Sequence, residues 1–209
     1  MKLIVISPPL NESNEHRIIN KLFEEGLTLF HLRKPETDEQ DIERHLRSID
    51  NRYHDRIVLH NHFDLSNKYK LSGIHFREDE RTALSDERLN MEIASFKSKD
   101  MTVSTSVHNL ESLAGLNTGF DYTFIGPVFD SISKSGVKAN TRLGSMPPSP
   151  ASVTERIALG GVSLENIEGT MQRGFDGVAL LGAIWNEGDH AIDYFKKVKR
   201  KCQEIAQKH

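Results

Sequence analysis

The sequence is poor in cysteine and has no long apolar run. Its 209 residues include a single cysteine, Cys202, which excludes an intrachain disulfide and favours a reducing compartment. The apolar stretch near the N-terminus, residues 2–6, is soon followed by a Pro-Pro pair and is too short for a signal sequence or a membrane span. These absences predict a soluble, cytoplasmic protein with no membrane partner.

The chain also lacks a large excess of charge of either sign. The formal net charge is −3, and the isoelectric point is about 6.4. Such a surface offers no general basic field, so nucleic acid is not an expected partner and any bound anion must be held by a local site. The length suits one hydrophobic core and is short for two, so we expect a single domain over residues 1–209.

What the sequence does contain is an alternation of short apolar runs and polar segments with helical periodicity. Eight runs are rich in β-branched and aromatic residues, at residues 2–7, 27–33, 56–61, 73–76, 101–107, 122–129, 156–162 and 177–184. A strand followed by a helix, repeated in this way, predicts a parallel sheet closed into a (β/α)8 barrel, an α/β fold. An open doubly wound sheet is the alternative, but the GxGxxG signature usual after its first strand is missing.

The pattern is interrupted once. Between the sixth and seventh runs, residues 133–156 contain Pro147, Pro148 and Pro150 and show no apolar period of 3.6 residues. Proline lacks the backbone N–H that a helix interior requires. We therefore expect the sixth helix of the barrel to be degenerate or absent. The tail from His190 onward restores the helical period and predicts a last helix.

Polar residues follow the predicted strands at the end where barrel enzymes carry their chemistry. In strand order they are His31, Arg33 and Lys34, then His60 and Asn61, Glu80, Ser106, the group Ser131, Ser133 and Lys134, Gly161, and finally Gly182. Two hydroxyls beside an ammonium suit phosphate oxygens. Glycines allow a close backbone approach to an anion. We therefore predict two anion pockets, one formed by residues 131–134 and one around the two glycines.

Histidines recur at the same end of the predicted barrel and raise the question of a metal site. His60 and His62 form an HxH pair that shares one strand face, and His31, His75 and His108 lie on neighbouring strands. Cysteine is absent from these strands, and the nearby carboxylates all follow the fourth strand. Zinc is therefore the less favoured interpretation.

Taken together, these segments resemble the thiamine phosphate synthase family and its sister branch, the thiazole tautomerases. HLRKP at residues 31–35 is similar to a second-strand motif of Gln, Leu, Arg, any residue and Lys, with His31 at the Gln position. GPVFDSISK at residues 126–134 resembles a Gly-x-Val-Phe-x-Thr-x-Thr-Lys loop in which Ser131 and Ser133 stand for threonines. Similar segments follow the other strands, and the resemblance fails only from about residue 137 to residue 156.

The resemblance implies transfer of a pyrimidinylmethyl group from its diphosphate to a thiazole phosphate, with Mg²⁺ bridging the leaving group. It assigns the diphosphate to a group of basic and hydroxyl side chains: Arg33, Lys34, Ser131, Ser133 and Lys134. By the same resemblance Ser106 contacts the pyrimidine, while Gly161 and Gly182 hold the thiazole phosphate. His31 and His60, at the Gln and Asn positions of the family motifs, are further candidates for substrate binding.

The metal positions depart from the family pattern. When Asp64 is matched to the second Asp of an Asn-Asp-x-x-Asp segment, Asn61 falls at the metal-binding Asp and Glu80 at the other carboxylate. A neutral amide weakens the expected Mg²⁺ site, because hard cations favour charged oxygen ligands.

Four functions are compatible with these residues. The synthase reaction is the main expectation, with small phosphorylated substrates as partners. Thiazole tautomerisation is the nearest alternative, although Pro127 stands where that branch places a proton-shuttling histidine, and proline cannot exchange protons. A non-catalytic binder of thiazole or pyrimidine phosphate is a third. A phosphate-sugar isomerase barrel is the fourth, but its strands should carry a Glu or Lys base, which these lack. A homo-oligomer is left open.

Overall fold

The computed structural model describes residues 1–116, 119–130, 139–140 and 154–207. The predicted degenerate sixth helix lies outside these residues, as do Ser131, Ser133 and Lys134. Among the helices within these ranges, none combines the length and the apolar character needed to cross a membrane.

Eight parallel strands close into a barrel, with each strand beside its neighbour in sequence and the last beside the first. They are β1 (Lys2–Ile6), β2 (Leu29–Leu32), β3 (Ile57–Leu59), β4 (Gly73–Phe76), β5 (Thr102–Val107), β6 (Tyr122–Ile125), β7 (Glu155–Leu159) and β8 (Gly177–Leu180). The barrel closes by pairing of β1 with β8, in which Lys2 lies opposite Gly177 and Val5 opposite Leu180. The predicted (β/α)8 barrel is therefore confirmed.

Helices connect these strands. They are α1 (Glu15–Glu24), α2 (Glu39–Ser48), α3 (Asp64–Lys68), α4 (Glu78–Thr82), α5 (Asp86–Lys97), α6 (Leu110–Ala114), α7 (Ile167–Gln172), α8 (Gly182–Trp185) and α9 (Ala191–Gln207), with 3₁₀ turns at Asn51–Arg56 and Gly188–His190. Local sequence explains where the longer ones begin. The Asp38 carboxylate accepts a hydrogen bond from the Asp41 N–H at 2.8 Å at the start of α2, and Ser85 caps α5 in the same way.

Alternate residues of each strand pack into different cores, because successive side chains of a strand point to opposite faces. Inside the barrel the packed apolar residues are Ile4, Ile6, Leu29, Val58, Tyr122, Phe124, Ile157 and Ala179. On the outside, Leu3 and Val5 of β1 pack with helix residues such as Ile19 and Phe195. Each fully buried side chain of this size contributes roughly 1.5–3 kcal/mol to folding.

The same alternation decides which polar residues enter the barrel. In β2, Leu29 lies in the inner core while Phe30 and Leu32 lie in the outer one, so His31 faces inward. His31 is paired in register with Val58 of β3, and His75 of β4 with Ser104 of β5. His31 and His75 thus lie against Phe124 inside the barrel, where they place polar groups among the inner apolar side chains.

Candidate active site

A cavity of about 600 Å³ opens at the carboxyl ends of the strands. Its described lining combines inward-facing strand residues with the first residues of the following loops. The lining residues are Ile6, Arg33, His60, His75, Arg77, Glu78, Asp79, Thr82, Ser106, His108, Phe124, Leu159 and Leu181. Apolar side chains on several sides and a group of polar and charged side chains suit a ligand with a flat ring and an anionic group.

Three buried histidines form the base of this site. His31 Nδ1 lies 2.8 Å from His60 Nε2, and His31 Nε2 lies 2.6 Å from the Tyr122 hydroxyl. The His60 and His75 rings are stacked with centroids 4.2 Å apart. His75 Nδ1 is 2.9 Å from Ser104 Oγ.

These histidines are uncharged at neutral pH. Burial lowers the pKa of His31 and His60 well below the ordinary value and lowers the pKa of His75 to about 3. A neutral imidazole has one donor and one acceptor nitrogen. Within the described part of the chain, His60 Nδ1 is buried and has no hydrogen-bond partner. It is therefore an unused polar atom on a residue that lines the cavity.

The predicted histidine group is only partly brought together. His31, His60 and His75 lie close enough for their ring nitrogens to fall within 4.8 Å of one another. His62 turns away, and its Nε2 lies 3.0 Å from the Thr37 carbonyl oxygen. His108 reaches the rim of the cavity, where its Nδ1 is paired with the Glu78 carboxylate.

Arg33, a predicted site residue, lines the cavity. Its backbone N–H donates to Ser7 Oγ at 2.8 Å, and the Ser7 hydroxyl donates to the Arg33 carbonyl at 3.0 Å, so the loop after β2 is fixed to β1. No hydrogen bond or ion pair to a described residue engages the Arg33 guanidinium. Arg33 and Arg77 both line the cavity, so two guanidinium groups lie at one site. Burial and the positive charge of Arg77 lower the pKa of Arg33.

Lys34 is not brought to the cavity with Arg33. Its ammonium lies 2.7 Å from Glu15 Oε2 and 2.9 Å from the Leu10 carbonyl oxygen, and the side chain is completely buried. Adjacent residues of an extended chain point in opposite directions, so Arg33 and Lys34 cannot both face the same ligand. The Lys34 side chain instead joins the loop after β2 to the start of α1.

Ser106 lines the cavity as predicted from its position, whereas the two predicted metal ligands are not among its described lining residues. Asn61 Nδ2 donates to the Lys34 carbonyl at 3.0 Å, and Asn61 Oδ1 is buried and unpartnered within the described residues. Both carboxylate oxygens of Glu80 are engaged by Arg77, through its guanidinium at 3.0 Å and its backbone N–H at 3.2 Å.

The two predicted glycines lie at the same end of the barrel. Gly161 has a φ of 66°, and a Cβ there would lie 2.3 Å from the Asp130 carbonyl oxygen, so the loop after β7 packs directly against the segment after β6. Gly182 is buried at the start of α8, where Trp185 Nε1 donates to the Ile6 carbonyl at 2.7 Å. A phosphate pocket around these glycines stays a prediction.

Sequence reasoning missed several lining residues. Arg77, Glu78 and Asp79 were visible as a polar run after the fourth strand, but only Glu80 was singled out. Phe124, which lines the cavity, and Tyr122, whose hydroxyl contacts His31, were counted as ordinary strand residues. Their two-residue spacing was the available indication that both side chains face the barrel interior.

The comparison with known proteins then decides the family. The family model for thiamine monophosphate synthase matches residues 3–184. The protein belongs to this family. A thiamine-phosphate synthase of Clostridium botulinum is 24% identical over 170 residues, which cover 78% of this chain and 79% of that protein. A thiamine-phosphate synthase of Leuconostoc citreum is 24% identical over 193 residues, covering 86% and 85%.

Two solved structures are similar to this one. A thiamine phosphate pyrophosphorylase from Bacteroides thetaiotaomicron has a TM-score of 0.73 and 32% identity, covering 99% of this chain and 98% of that one. A thiamine phosphate pyrophosphorylase from Pyrococcus furiosus has a TM-score of 0.74 at 18% identity, covering 98% and 96%, and supports the fold alone. The predicted membership of the thiamine phosphate synthase family is confirmed.

Proposed function

We propose that this family member is a thiamine phosphate synthase acting in thiamine biosynthesis. It would join hydroxymethylpyrimidine diphosphate to thiazole phosphate and release diphosphate. The observation that carries this proposal is the Arg33 guanidinium, which lines the cavity and is free of protein partners within the described residues. A cation without protein partners beside apolar walls is suited to a substrate that combines a ring with a diphosphate.

The reaction breaks the bond between the pyrimidinylmethyl carbon and a diphosphate oxygen. The electron pair leaves with the diphosphate, and the lone pair of the thiazole nitrogen then forms the new bond to that carbon. Arg33 would stabilise the negative charge that develops on the leaving oxygen. Lys134, Ser131 and Ser133, which lie outside the described residues, are proposed to hold the same group from the loop after β6.

The ring-binding part of the site would be formed by different residues. The Ser106 hydroxyl and the unpartnered Nδ1 of His60 would hydrogen-bond to the polar edge of the pyrimidine. Ile6, Phe124 and Leu159 would pack against the rings. His31 is not among the described residues that line the cavity. It would act through His60, because its Nδ1 lies 2.8 Å from His60 Nε2 and orients that ring.

Mg²⁺ is the cofactor that the family implies, with Asn61 and Glu80 at the expected positions. Asn61 carries no charge, and both oxygens of Glu80 are already engaged by Arg77. A divalent cation bound by Glu80 would be repelled by the guanidinium at 3.0 Å from that carboxylate. These residues do not fit a Mg²⁺ site in this arrangement, so no step of the reaction is assigned to Mg²⁺.

Thiazole tautomerisation is the second candidate. Pro127 follows a cis peptide bond and packs closely against Gly160, and it offers no proton-exchanging group. His60 nevertheless lines the cavity with one unpartnered ring nitrogen, which is the kind of group that moves a proton on a ring.

Genetic complementation separates the two candidates. We expect the protein to restore growth without thiamine in a bacterial strain that lacks its own thiamine phosphate synthase. Arg33→Gln should abolish that growth, while Arg88→Gln, an exposed arginine of α5, should leave it intact. Rescue of a tautomerase-deficient strain, without rescue of the synthase-deficient strain, would replace the proposal by the tautomerase. Rescue of neither strain by the expressed, folded protein would leave the non-catalytic binder.

A further inference from the structure

Arg77 is a cavity-lining cation to which the family resemblance assigns no role. It stands between β4 and α4, where its backbone N–H donates a hydrogen bond to Glu80 Oε2 at 3.2 Å. Its guanidinium lies 3.0 Å from Glu80 Oε1 and 3.5 Å from Asp79 Oδ2. Its Nε is buried and has no hydrogen-bond partner in the described part of the chain. Both of its ion pairs use Nη2, so the Nη1 donors, which no described residue engages, are left for a ligand.

The position of Arg77 relative to Glu80 is that of a bound cation. In a carboxylate-held metal site, a cation lies between the protein carboxylate and the diphosphate. Here the guanidinium is already held by the Glu80 carboxylate and also faces the cavity beside Arg33. The carboxylate of Glu80, a positive charge and the diphosphate would still follow one another in this order, with the Arg77 guanidinium in place of the metal ion.

The charges agree with this substitution. A divalent cation held by two carboxylates forms a group with no net charge. The single charge of Arg77, held by Glu80 beside the neutral Asn61, also forms a group with no net charge. Asp79 adds a further carboxylate, but its side chain is 72% exposed, so solvent screens most of its effect. The loss of one acidic ligand at position 61 is thus matched by the smaller charge of the cation.

We propose that Arg77 supplies the positive charge that a divalent cation would supply at this site, so that diphosphate binding in this protein does not depend on Mg²⁺. The inference rests on the proposed function for the identity of the anion. A guanidinium suits this role because its planar set of donors can bond two phosphate oxygens at once. Arg77 and Arg33 would then hold the diphosphate together.

Binding of inorganic pyrophosphate to the full chain tests this directly. Isothermal titration would be done with wild-type protein in EDTA and again with excess Mg²⁺. We expect a Kd in EDTA within about threefold of the Kd with Mg²⁺. Arg77→Gln should raise the Kd in EDTA by roughly 10–100-fold, because a hydrogen bond to a charged group is worth about 1.5–3 kcal/mol. Arg88→Gln is the matched exposed control and should leave the Kd unchanged.

The comparison of wild-type binding in EDTA and with Mg²⁺ needs no variant, so it tests the inference even if Arg77→Gln does not fold. Wild-type binding that appears only with Mg²⁺ would overturn the inference, as would an unchanged Kd in folded Arg77→Gln. Formation of thiamine phosphate, measured in the same two buffers, separates this inference from the proposed function. If product forms only with Mg²⁺, the inference about Arg77 is wrong and the proposed synthase function stands. If pyrophosphate binds in EDTA and this binding needs Arg77, but no product forms in either buffer, the inference stands and the proposed synthase function is wrong.

Discussion

The Lys34 ammonium lies 2.7 Å from the Glu15 carboxylate, and the two side chains are 0% and 1% exposed. This ion pair joins the loop after β2, which carries Arg33, to the start of α1. Burial lowers the pKa of Lys34 and the hydrogen bond to Glu15 opposes that shift. We therefore expect this lysine to affect the substrate only indirectly, by holding the neighbouring arginine in place.

Removal of this buried ammonium should destabilise the fold. Lys34→Met is expected to lower the free energy of unfolding by about 3–5 kcal/mol, because the Glu15 carboxylate would be left buried without its partner. Urea denaturation measures the loss. The double variant Glu15→Gln with Lys34→Met should recover much of it. Lys21→Met, which removes an exposed partner of Glu24, should leave stability nearly unchanged. Normal stability with weakened pyrophosphate binding in Lys34→Met would return Lys34 to the substrate site.

Arg33 should affect binding without affecting the fold. Arg33→Gln is expected to raise the Kd for pyrophosphate by roughly 10–100-fold, since a charge-assisted hydrogen bond contributes about 1.5–3 kcal/mol. Its melting temperature should match that of the wild type, because no described residue bonds to the guanidinium. A Kd equal to that of the wild type would remove Arg33 from the anion site.

Lys134 is predicted from the sequence to contact the diphosphate. Lys134→Ala should weaken binding of the pyrimidine diphosphate while the unfolding curve stays unchanged, because a lysine at the rim of a barrel contributes little packing. Titration of the diphosphate substrate and thermal denaturation are the two measurements. Unaltered affinity would take the loop after β6 out of the proposed site.

Stability should depend on pH through His45. Burial, with added effects of Lys34, His16 and Arg44, lowers the pKa of His45 from 6.5 to about 4. Between these values the unfolded chain binds a proton that folded His45 does not bind, so stability is full above pH 6.5 and falls as the pH drops toward 4. The contribution of this one proton to the slope is at most about 1.4 kcal/mol per pH unit.

Comparison of variants isolates this contribution from that of the other buried histidines. His45→Gln should show a shallower loss of stability than the wild type between pH 6.5 and 4. His190→Gln, at an exposed position, should keep the wild-type slope. Equal slopes for wild type and His45→Gln would show that His45 is charged in the folded protein.

The fold could be predicted because its information is local. Each strand is a short apolar run, and the strand Gly73–Phe76 matches the predicted residues 73–76 without adjustment. The apolar spacing in residues 14–26 predicts a helix that stops at Gly26; the helix Glu15–Glu24 lies inside that segment, and Gly26 has a φ of 91°. The short helices Asp64–Lys68 and Gly182–Trp185 were not predicted, because four or five residues are too few to show a helical period.

The site was harder to predict because its chemistry depends on which way side chains point. Lys34 and Arg33 are equivalent in a list of basic residues, yet one is buried against Glu15 and the other faces the cavity. Arg77 belongs to a run of charged residues after β4, from which the sequence alone gives only Glu80 a role. Its significance emerges only when the Glu80 carboxylate, expected to bind a metal, is found 3.0 Å from the Arg77 guanidinium.

The most direct test of the synthase assignment is product formation by the purified protein. Hydroxymethylpyrimidine diphosphate and thiazole phosphate would be incubated with it, and thiamine phosphate and pyrophosphate would be quantified by chromatography. We expect the two products in equal amounts, with their formation abolished in Arg33→Gln and retained in Arg88→Gln. Folded wild-type protein that binds both substrates and forms no thiamine phosphate would contradict the assignment.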